Sequence, residues 1–528
     1  MFSKNRSHLL AVCNSVAEQF CPRLRPAAAL SRADRRKYQL QRRRCYSSAA
    51  GKGILLQSDY GTVAVPQLNV SQFIWKDYEK WGDKPMVTCG ISGKSYTFEQ
   101  GRYAATRFAS ALINQIGLKK GDVVGLLLPN MPEYVIAIHG AIEAGIITTF
   151  VNPMYTPEEV YRQFADADVR CCVTIPELLP LLEKISPRIK NYTQTVVVNP
   201  RKVDVSKSSA IDFDQLISSH SPSNLADSNI KPSDIAVLPY SSGTTGLPKG
   251  VMLTHANLIV NLEQLHHPSM CTFVGTTDAS QEITLSVLPF FHIYGFNAIL
   301  NNNMRQGMHL VTLPKFTPEN YLQCLIKFKP TQLYVVPSLM LFMTSHPSVK
   351  PEYLATVKEI VSGAAPSTKS LIANFKNKFY LSKITIRQGY GMTESSPCVL
   401  LTPLDAKSSK DGSVGKLLKG TEARVVSLNT GADQPAHESG ELLVRGPQVM
   451  KGYWKNDAAT KETIDAEGWL HTGDVAYYDD DGYFFIIDRT KELIKVKGNQ
   501  CYGWEVDKKL KMFRLNEQET LIPLKRLS

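Results

Sequence analysis

Short apolar runs alternate with amphipathic stretches in the first third of the chain, and this alternation predicts an α/β fold. Apolar residues recur at helical spacing over Phe98–Ile116, and Gly117 is placed to end that helix. Asp122–Leu128 and Ile146–Val151 are short apolar runs, with a second helical pattern, Tyr134–Ala144, between them. Such runs, without polar alternation, are typical of strands buried on both faces of a sheet. We therefore predict parallel sheets flanked by helices.

The same pattern extends towards residue 400 and then changes. Further strands are expected at Gln194–Val198, Ile235–Pro239, Ile283–Leu288, His309–Leu313, Gln332–Val336 and Glu359–Ser362. Two more helices are expected at Phe316–Phe328 and Pro366–Phe379. Beyond about residue 415, turn residues separate the short apolar runs Ala423–Ser427, Gly440–Arg445 and Tyr483–Ile487. This change predicts a small, β-rich, antiparallel subdomain.

The length and charge of the chain limit the classes of protein to consider. At 528 residues, the chain is too long for one compact core and is expected to form two or more domains. The net charge of +12 is concentrated at the ends, because residues 1–52 carry 12 basic and two acidic side chains and residues 501–528 carry six and four. The body between them is neutral, which argues against a nucleic-acid-binding face.

The first fifty residues have the composition of a targeting segment. They are rich in Arg, Ser and Ala and poor in acids, and Arg44-Cys45-Tyr46 resembles a matrix-processing site. We expect residues 1–50 to be a mitochondrial presequence, with a disordered basic tail as the alternative. The chain ends in Arg526-Leu527-Ser528, which does not match a peroxisomal SKL signal. Peroxisomal or cytoplasmic localisation is the second hypothesis.

Two further sequence features exclude other classes. No apolar run reaches the roughly 18 residues of a membrane-spanning helix, so no integral membrane segment is expected. The ten cysteines contain no CxxC pair and no regular spacing, which is typical of reduced thiols and not of a disulfide or zinc framework.

The densest group of chemically informative residues is Tyr240–Gly250, YSSGTTGLPKG, which follows the predicted strand Ile235–Pro239. Glycines allow the backbone to approach an anion closely, hydroxyl groups donate hydrogen bonds, and the lysine supplies positive charge. The residues concerned are Ser241, Ser242, Gly243, Thr244, Thr245, Gly246 and Lys249. The spacing differs from that of a Walker A loop, but the composition predicts a phosphate-binding loop; a Ser/Thr/Gly-rich surface loop is the alternative.

This segment resembles the signature of the adenylate-forming superfamily, and the similarity to 4-coumarate–CoA ligases and firefly-luciferase-like proteins is close. The resemblance extends from about residue 68 to residue 500, with several motifs in the family's order. It implies an adenylation domain at residues 51–487, and a hinge with the start of a small C-terminal domain at residues 488–500. It also implies the use of ATP, Mg²⁺ and CoA together with a small carboxylic acid.

The resemblance assigns the acid pocket to three segments. The first is LPFFHIYGFN, in which His292 matches the histidine that orients the carboxylate. The others are SGAAP (362–366) and QGYGMTES (388–395). The pocket residues implied are His292, Tyr294, Asn297, Gly363, Ala364, Gly389 and Met392. Taken alone, a histidine among aromatic residues is more often structural.

The nucleotide and metal residues are also implied by the resemblance. Glu394 matches the Mg²⁺ ligand, in keeping with the oxygen ligands that this ion prefers. Gln388, Gly389, Tyr390 and Thr393 are expected around the adenine and the α-phosphate. In GWLHTGD, Asp474 matches the reader of the ribose hydroxyls, with Arg489 assisting.

The last part of the resemblance concerns the moving domain. Asp488 and Lys491 match the hinge, and Lys495, Lys497, Gly498 and Gln500 match residues that meet substrate or thiol after rotation. Lys315 matches a position that contacts CoA in plant ligases, although a lone lysine is more often a solvated charge.

The resemblance stops after Gln500. Residues 501–528 contain no PSGK-like lysine loop, which in the family grips the adenylate. We therefore expect a non-family tail there, a remnant of the C-terminal domain and weakened adenylate formation. Three functions are compared: an acid–CoA ligase for an aromatic or aliphatic acid, a luciferase-like monooxygenase, and a non-catalytic nucleotide- or acid-binding remnant.

Overall fold

The computed structural model describes the backbone of most of the chain from residue 54 onward. The described residues are 54–221, 229–241, 247–273, 275–380, 386–407, 410–489, 494–496 and 499–501. Of the last two ranges, only the backbone is described. The expected presequence and most of the 501–528 tail therefore lie outside the described residues.

The first sheet, called the N-terminal sheet, has nine strands among the described residues and is parallel through its centre. From one edge to the other its strands are Tyr240–Ser241, Lys249–Thr254, Ile235–Val237, Ile147–Phe150, Val123–Leu126, Val169–Thr174, Gln194–Val197 and Ile211–Asp212. Gly452–Tyr453 adds a short antiparallel strand to Lys249–Thr254. The expected parallel sheet is confirmed, with an antiparallel edge at the glycine-rich motif.

The second sheet, called the central sheet, also has nine strands among the described residues. Their spatial order is Lys416–Leu417, Cys398–Leu401, Ile386–Gly391, Glu359–Ser362, Gln332–Val335, Ile283–Ser286, His309–Thr312, Pro85–Cys89 and Ser95–Thr97. The six strands from Ile386–Gly391 to Pro85–Cys89 are parallel. The strand expected at Glu359–Ser362 has the predicted bounds.

The third sheet, called the C-terminal sheet, is antiparallel and confirms the change of pattern near residue 415. Its strands in order are Leu56–Gln57, Glu422–Val426, Gly440–Arg445, Leu470–Tyr478 and Phe484–Arg489. A separate backbone hairpin pairs Ile494–Val496 with Asn499–Cys501. The boundary expected near Asp488 coincides with the end of the last strand of this sheet, and the hinge there stays a prediction.

Side-chain caps fix several helix starts. Thr97 accepts a hydrogen bond from the backbone N–H of Gln100 at 3.2 Å, and the Gln100 side chain accepts one from the N–H of Thr97 at 3.0 Å. The described α-helices are Val70–Ile74, Phe98–Asn114, Pro132–Glu143, Pro157–Asp166, Leu179–Ile185, Phe213–Ser218, His255–Leu265, Asn302–Arg305, Pro318–Phe328, Pro337–Ser345, Lys369–Lys378 and Asp457–Thr463. Tyr294–Asn301 is a π-helix. Short 3₁₀ turns cover Tyr78–Trp81, Pro176–Leu178, Ser186–Arg188, Pro351–Leu354 and Thr393–Ser395.

One hydrophobic core joins the two large sheets. Helices Phe98–Asn114 and Pro132–Glu143 contribute to it between strand residues of both sheets, such as Val124 and Val87. The carboxyl ends of central-sheet strands and the edge that carries Ser241 and Lys249 line one cavity. None of the helices in the described part of the chain combines the length and apolarity needed to cross a bilayer.

Candidate active site

A cavity of about 620 Å³ lies where the three sheets meet. The carboxyl ends of the strands Glu359–Ser362 and Ile386–Gly391 open onto it, the position at which ligands bind in open α/β sheets. Twelve of the residues singled out in the sequence line its wall: Ser241, Lys249, His292, Tyr294, Gly363, Ala364, Gly389, Tyr390, Met392, Thr393, Glu394 and Arg489. Motifs that are far apart in the sequence are thus brought to one site.

The glycine-rich motif is held at both ends by strand pairing. Tyr240 pairs with Gly250 and Ser241 with Lys249 in antiparallel register. Ser242, Gly243, Thr244, Thr245 and Gly246 lie outside the described residues. Ser241 and Lys249, at the two ends of the undescribed segment, line the cavity.

Glu394 meets the structural requirements of a magnesium ligand. It lines the cavity, is 5% exposed, and accepts a hydrogen bond from the Tyr453 hydroxyl at 2.9 Å. Within the described residues no cluster of three or more His, Cys, Asp or Glu side chains could hold a metal ion alone. Mg²⁺ is usually held by one or two carboxylates together with substrate phosphates, so a single buried carboxylate beside the phosphate loop suits it.

His292 presents a defined tautomer to the cavity. Its Nδ1 accepts a hydrogen bond from the backbone N–H of Tyr294 at 3.2 Å, so in the neutral ring the proton is on Nε2. The ring is open to the cavity, yet the protein atoms around it lower the pKa of His292 from its ordinary value through desolvation. The result is a neutral imidazole that can donate one hydrogen bond into the cavity.

The π-helix Tyr294–Asn301 begins two residues after His292 and shapes the acid pocket. The Tyr294 hydroxyl donates to the carbonyl of Val361 at 3.3 Å, which lays the ring against Gly363. A Cβ atom on Gly363 would lie 3.1 Å from that ring, so glycine lets the backbone approach the Tyr294 ring without a tight contact. Ala364 has φ +67°, a strained conformation for a residue with a side chain and one found preferentially at functional sites.

The expected adenosine-binding residues form a connected group. The Tyr390 hydroxyl donates to Asp474 Oδ2 at 2.6 Å, and Arg489 Nε lies 3.4 Å from Asp474 Oδ1. Asp474 and Arg489 are also cross-strand partners in the C-terminal sheet. Burial and the neighbouring Asp474 carboxylate raise the pKa of Tyr390, which keeps its hydroxyl a donor. Asp474 itself is buried behind Tyr390, Thr472 and Gly473, which form the wall.

Some of the expected residues lie elsewhere. Asn297 is fully buried behind the wall and donates to the carbonyls of Leu258 and Ser396 at 3.2 and 2.7 Å. Gln388 is also buried and supports the strand, because it accepts from the N–H of Ser367 at 2.8 Å. Both side chains were expected in the pocket, but they make structural contacts behind its wall.

The remaining expected residues belong to the hinge and CoA groups. Lys315 is exposed at the end of a strand, away from the cavity wall. Asp488 pairs with Val475 in the C-terminal sheet. Lys491, Lys497 and Gly498 lie outside the described residues, and of Lys495 and Gln500 only the backbone is described.

Glu359, Arg387 and Tyr453 are among the wall residues that sequence reasoning missed. Glu359 and Arg387 form a buried ion pair, with 2.5 Å between Oε1 and Nη1, and Tyr453 contacts both Glu394 and Lys249. A signal was present for Glu359, since a charged residue at the start of a predicted buried strand needs a partner. Tyr453 gave no such signal, because its place depends on the pairing of distant strands.

The fold and the cavity define a nucleotide-dependent α/β enzyme. The chain belongs to the AMP-binding enzyme family, whose model matches residues 74–454, and this confirms the resemblance to adenylate-forming enzymes. It is 36% identical over 467 residues to "Probable 4-coumarate--CoA ligase 3" of Dictyostelium discoideum, covering 85% of this chain and 82% of the relative. It is 34% identical over 466 residues to "4-coumarate--CoA ligase 1" of Petroselinum crispum, covering 87% and 82%.

Solved structures support the same assignment. ATP-bound MatB from Rhodopseudomonas palustris superposes with a TM-score of 0.74 at 25% identity, covering 84% of this chain and 83% of that one. A long-chain-fatty-acid–CoA ligase from Archaeoglobus fulgidus superposes with a TM-score of 0.71 at 25% identity, covering 89% and 90%.

Proposed function

We propose that the protein is an ATP-dependent acid–CoA ligase that works through an acyl-adenylate. The observation that carries this proposal is that Lys249, Thr393 and Glu394 line one cavity together with His292 and Tyr294. Phosphate-binding and acid-binding groups are therefore close enough to bring a carboxylate to a nucleotide phosphate. ATP and CoA are the co-substrates of adenylate-forming CoA ligases, and Mg²⁺ is their cofactor.

The reaction has two balanced steps. A carboxylate oxygen attacks the α-phosphorus, the bond from that phosphorus to the bridging oxygen breaks, and pyrophosphate leaves. The CoA sulfur then attacks the acyl carbon, the acyl C–O bond breaks, AMP leaves, and the thiol proton passes to water. The protein's contribution is to position the reactants and to stabilise charge. When bound at Glu394, magnesium supplies positive charge beside the phosphate oxygens.

His292 contributes as a neutral donor. Its Nε2–H can donate to a carboxylate oxygen without forming an ion pair that would make the acid a weaker nucleophile. Lys249 and the hydroxyl of Thr393 line the same cavity and can stabilise the negative charge that accumulates on phosphate oxygens.

The far end of the cavity supports a narrower substrate class. Thr272, Gln332, Glu359 and Arg387, called here the polar floor, line it together. Glu359 Oε1 accepts from Thr272 at 2.6 Å and Oε2 from Gln332 at 2.6 Å. Because a strand rises about 3.3 Å per residue, Glu359 lies about 13 Å along its strand from Gly363.

The polar floor favours an acid that carries a hydrogen-bonding group at its distal end. The floor groups hydrogen-bond one another, and a distal hydroxyl on the substrate can add a hydrogen bond to them that an aliphatic chain cannot make. Between the floor and Gly363 the wall is aromatic, with Tyr294 and Tyr334 edge to face at 6.1 Å. We therefore propose an aromatic acid with a distal hydroxyl, the chemistry of the 4-coumarate in the relatives' names, ahead of a fatty acid.

Matched acids test both levels of the proposal. Pyrophosphate release and thioester formation would be measured with 4-coumarate, with cinnamate, which lacks only the hydroxyl, and with decanoate. We expect kcat/KM to fall about 10- to 150-fold from 4-coumarate to cinnamate, since a hydrogen bond to a charged group contributes about 1.5–3 kcal/mol. Thr272→Val should reduce this ratio, whereas Thr344→Val, whose hydroxyl donates to a helix carbonyl away from the cavity, should not.

Other outcomes separate the alternatives. Equal rates with cinnamate and 4-coumarate would reject the substrate class and leave the ligase. Light from luciferin, ATP and O₂ without thioester would identify a luciferase-like enzyme. Binding of ATP without turnover would identify a non-catalytic remnant, and the weakened adenylation expected from the sequence stays a prediction for the same assay.

We also propose mitochondrial targeting, which the composition of residues 1–50 supports. A fluorescent fusion of the full chain should enter mitochondria, and the same fusion without residues 1–50 should not. An unchanged distribution would reject the presequence, and a peroxisomal pattern in both would favour the second hypothesis.

A further inference from the structure

Tyr453 links two charged groups of the nucleotide site. Its hydroxyl donates to Glu394 Oε1 at 2.9 Å. On the face of its ring, Lys249 Nζ lies 4.9 Å from the centroid, within the range of a cation–π contact. One neutral side chain therefore contacts both the expected metal carboxylate and the lysine of the phosphate loop.

The backbone around Tyr453 fixes this arrangement. Tyr453 pairs with Val251 in the strand that begins at Lys249. Its N–H donates to Thr460 Oγ1 at 2.9 Å, and the N–H of Met450 donates to the carbonyl of Glu394 at 2.8 Å. The side chain is 3% exposed, so it has little freedom to move.

A tyrosine suits this place better than a charged residue. A phenol hydroxyl orients one carboxylate oxygen without cancelling the negative charge that a cation needs, and an aromatic face attracts an ammonium group without pairing it with an anion. A phenol hydroxyl carries one proton that it can donate, and here it donates that proton's hydrogen bond to Glu394 Oε1. The contacts therefore hold Lys249 and Glu394 in place before a nucleotide binds.

We propose that Tyr453 is a positioning residue that holds Glu394 ready for magnesium and Lys249 ready for the nucleotide phosphates. This inference rests on the proposed function, because it assumes that the cavity binds Mg²⁺ and ATP. It assigns the two contacts of Tyr453 to two different ligands. The hydroxyl, through Glu394, affects the Mg²⁺-dependent part of the ATP affinity. The ring, through Lys249, affects the binding of the ATP phosphates.

Equilibrium binding separates the two contacts. ATP binding to the full chain would be measured by isothermal titration calorimetry, once with excess Mg²⁺ and once with EDTA. Tyr453→Phe keeps the ring and should weaken binding about fivefold to tenfold in Mg²⁺ with little change in EDTA. Tyr453→Leu removes both contacts and should also weaken binding in EDTA, by about threefold or more.

The control is Tyr192→Phe, which removes a hydroxyl paired with Thr195 in the N-terminal sheet, away from the cavity. Its ATP affinity should match that of the wild type in both conditions. Melting temperatures would show whether each variant folds. If Tyr453→Leu does not fold, Tyr453→Phe alone tests the positioning role.

The outcomes distinguish this inference from the proposed function. A wild-type chain that binds no ATP in either condition would reject both. If the wild type binds ATP but Tyr453→Phe matches it in both conditions, or loses the same factor in both, the positioning role is rejected and the proposed function stands. A loss confined to the Mg²⁺ condition supports the inference.

Discussion

At the scale of single residues, the protein keeps several ionisable side chains neutral by burial. His139 is fully buried on helix Pro132–Glu143, and neither ring nitrogen has a hydrogen-bond partner among the described residues. Burial and the positive charge of Arg102 lower the pKa of His139 to about 3. In the active site, His292 is kept neutral by its surroundings in the same way, but there the neutral form can serve chemistry.

His139 makes the fold sensitive to acid. Its folded pKa lies below the ordinary value of 6.5, so the unfolded chain binds the additional proton as pH falls from 6.5 towards 3. Stability is therefore full above about pH 6.5 and decreases below it, by about 2 kcal/mol between pH 7 and pH 5. We expect His139→Leu to reduce the pH dependence of urea unfolding by about that amount. An unchanged slope of stability with pH would contradict this.

His292 should affect chemistry more than nucleotide binding. Removing its Nε2–H in His292→Ala deletes one donor to the reacting carboxylate, and we expect acyl-adenylate formation to slow about 10²- to 10³-fold. Because desolvation lowers the pKa of His292, loss of activity through protonation of its imidazole should set in at a lower pH than for an ordinary histidine. Pyrophosphate release against pH measures the effect on chemistry.

The control for this variant is ATP binding. The dissociation constant for ATP should remain within about twofold of the wild-type value. A loss of ATP affinity as large as the loss of rate would mean that His292 supports the pocket as a whole and does not act on the acid.

At the scale of elements, the ends of strands decide where chemistry lies. The strands Glu359–Ser362 and Ile386–Gly391 are adjacent and parallel, so the segments that follow them meet at one edge. The apolar pattern predicted the first of these strands, and the family resemblance predicted that the motifs at the ends of both contribute to one pocket. The π-helix Tyr294–Asn301 was not predicted, because it is short and buried along nearly its whole length.

Gly363 tests how closely these elements fit. In Gly363→Ala, the new Cβ would lie 3.1 Å from the Tyr294 ring, which is tighter than an ordinary contact. The Tyr294 hydroxyl is anchored to the carbonyl of Val361, so the ring can relieve this contact only by tilting into the acid pocket. We expect this tilt to raise the KM of an aromatic acid about tenfold. Steady-state kinetics with varied acid and with varied ATP measures this.

The two substrates act as controls for each other in this variant. The KM for ATP should change little, because Gly363 contacts the ring on the acid side. Equal increases in both KM values, or no change in either, would show that Tyr294 does not form the wall of the acid pocket.

At the scale of the whole molecule, the site is made by pairings that no local pattern reveals. Leu56 pairs with Ala423, and Val251 pairs with Tyr453, across hundreds of residues. Periodicity predicted fewer than half of the described strands, and motif resemblance predicted twelve of the wall residues. The sequence could not show that Asn297 and Gln388 lie behind the wall, because each side chain's direction depends on the tertiary packing around it.

The nucleotide should therefore stabilise all three sheets together. The N-terminal sheet contributes Lys249 to the cavity wall, the central sheet Tyr390, and the C-terminal sheet Arg489. A ligand that binds only the folded state at 100 times its dissociation constant adds about 2.7 kcal/mol to the free energy of unfolding. With Mg²⁺ and ATP at that concentration, we expect slower amide hydrogen exchange in Lys249–Thr254, Ile386–Gly391 and Leu470–Tyr478 alike.

Glu394→Gln provides the matched comparison, because it removes the expected metal ligand and leaves the three sheets intact. In this variant the protection should decrease in all three strands by a similar factor, since one binding event protects them. Protection limited to Lys249–Thr254 would mean that the nucleotide contacts the phosphate loop without bridging the cavity. That result would separate nucleotide binding from the acid pocket and would contradict a shared site for the two substrates.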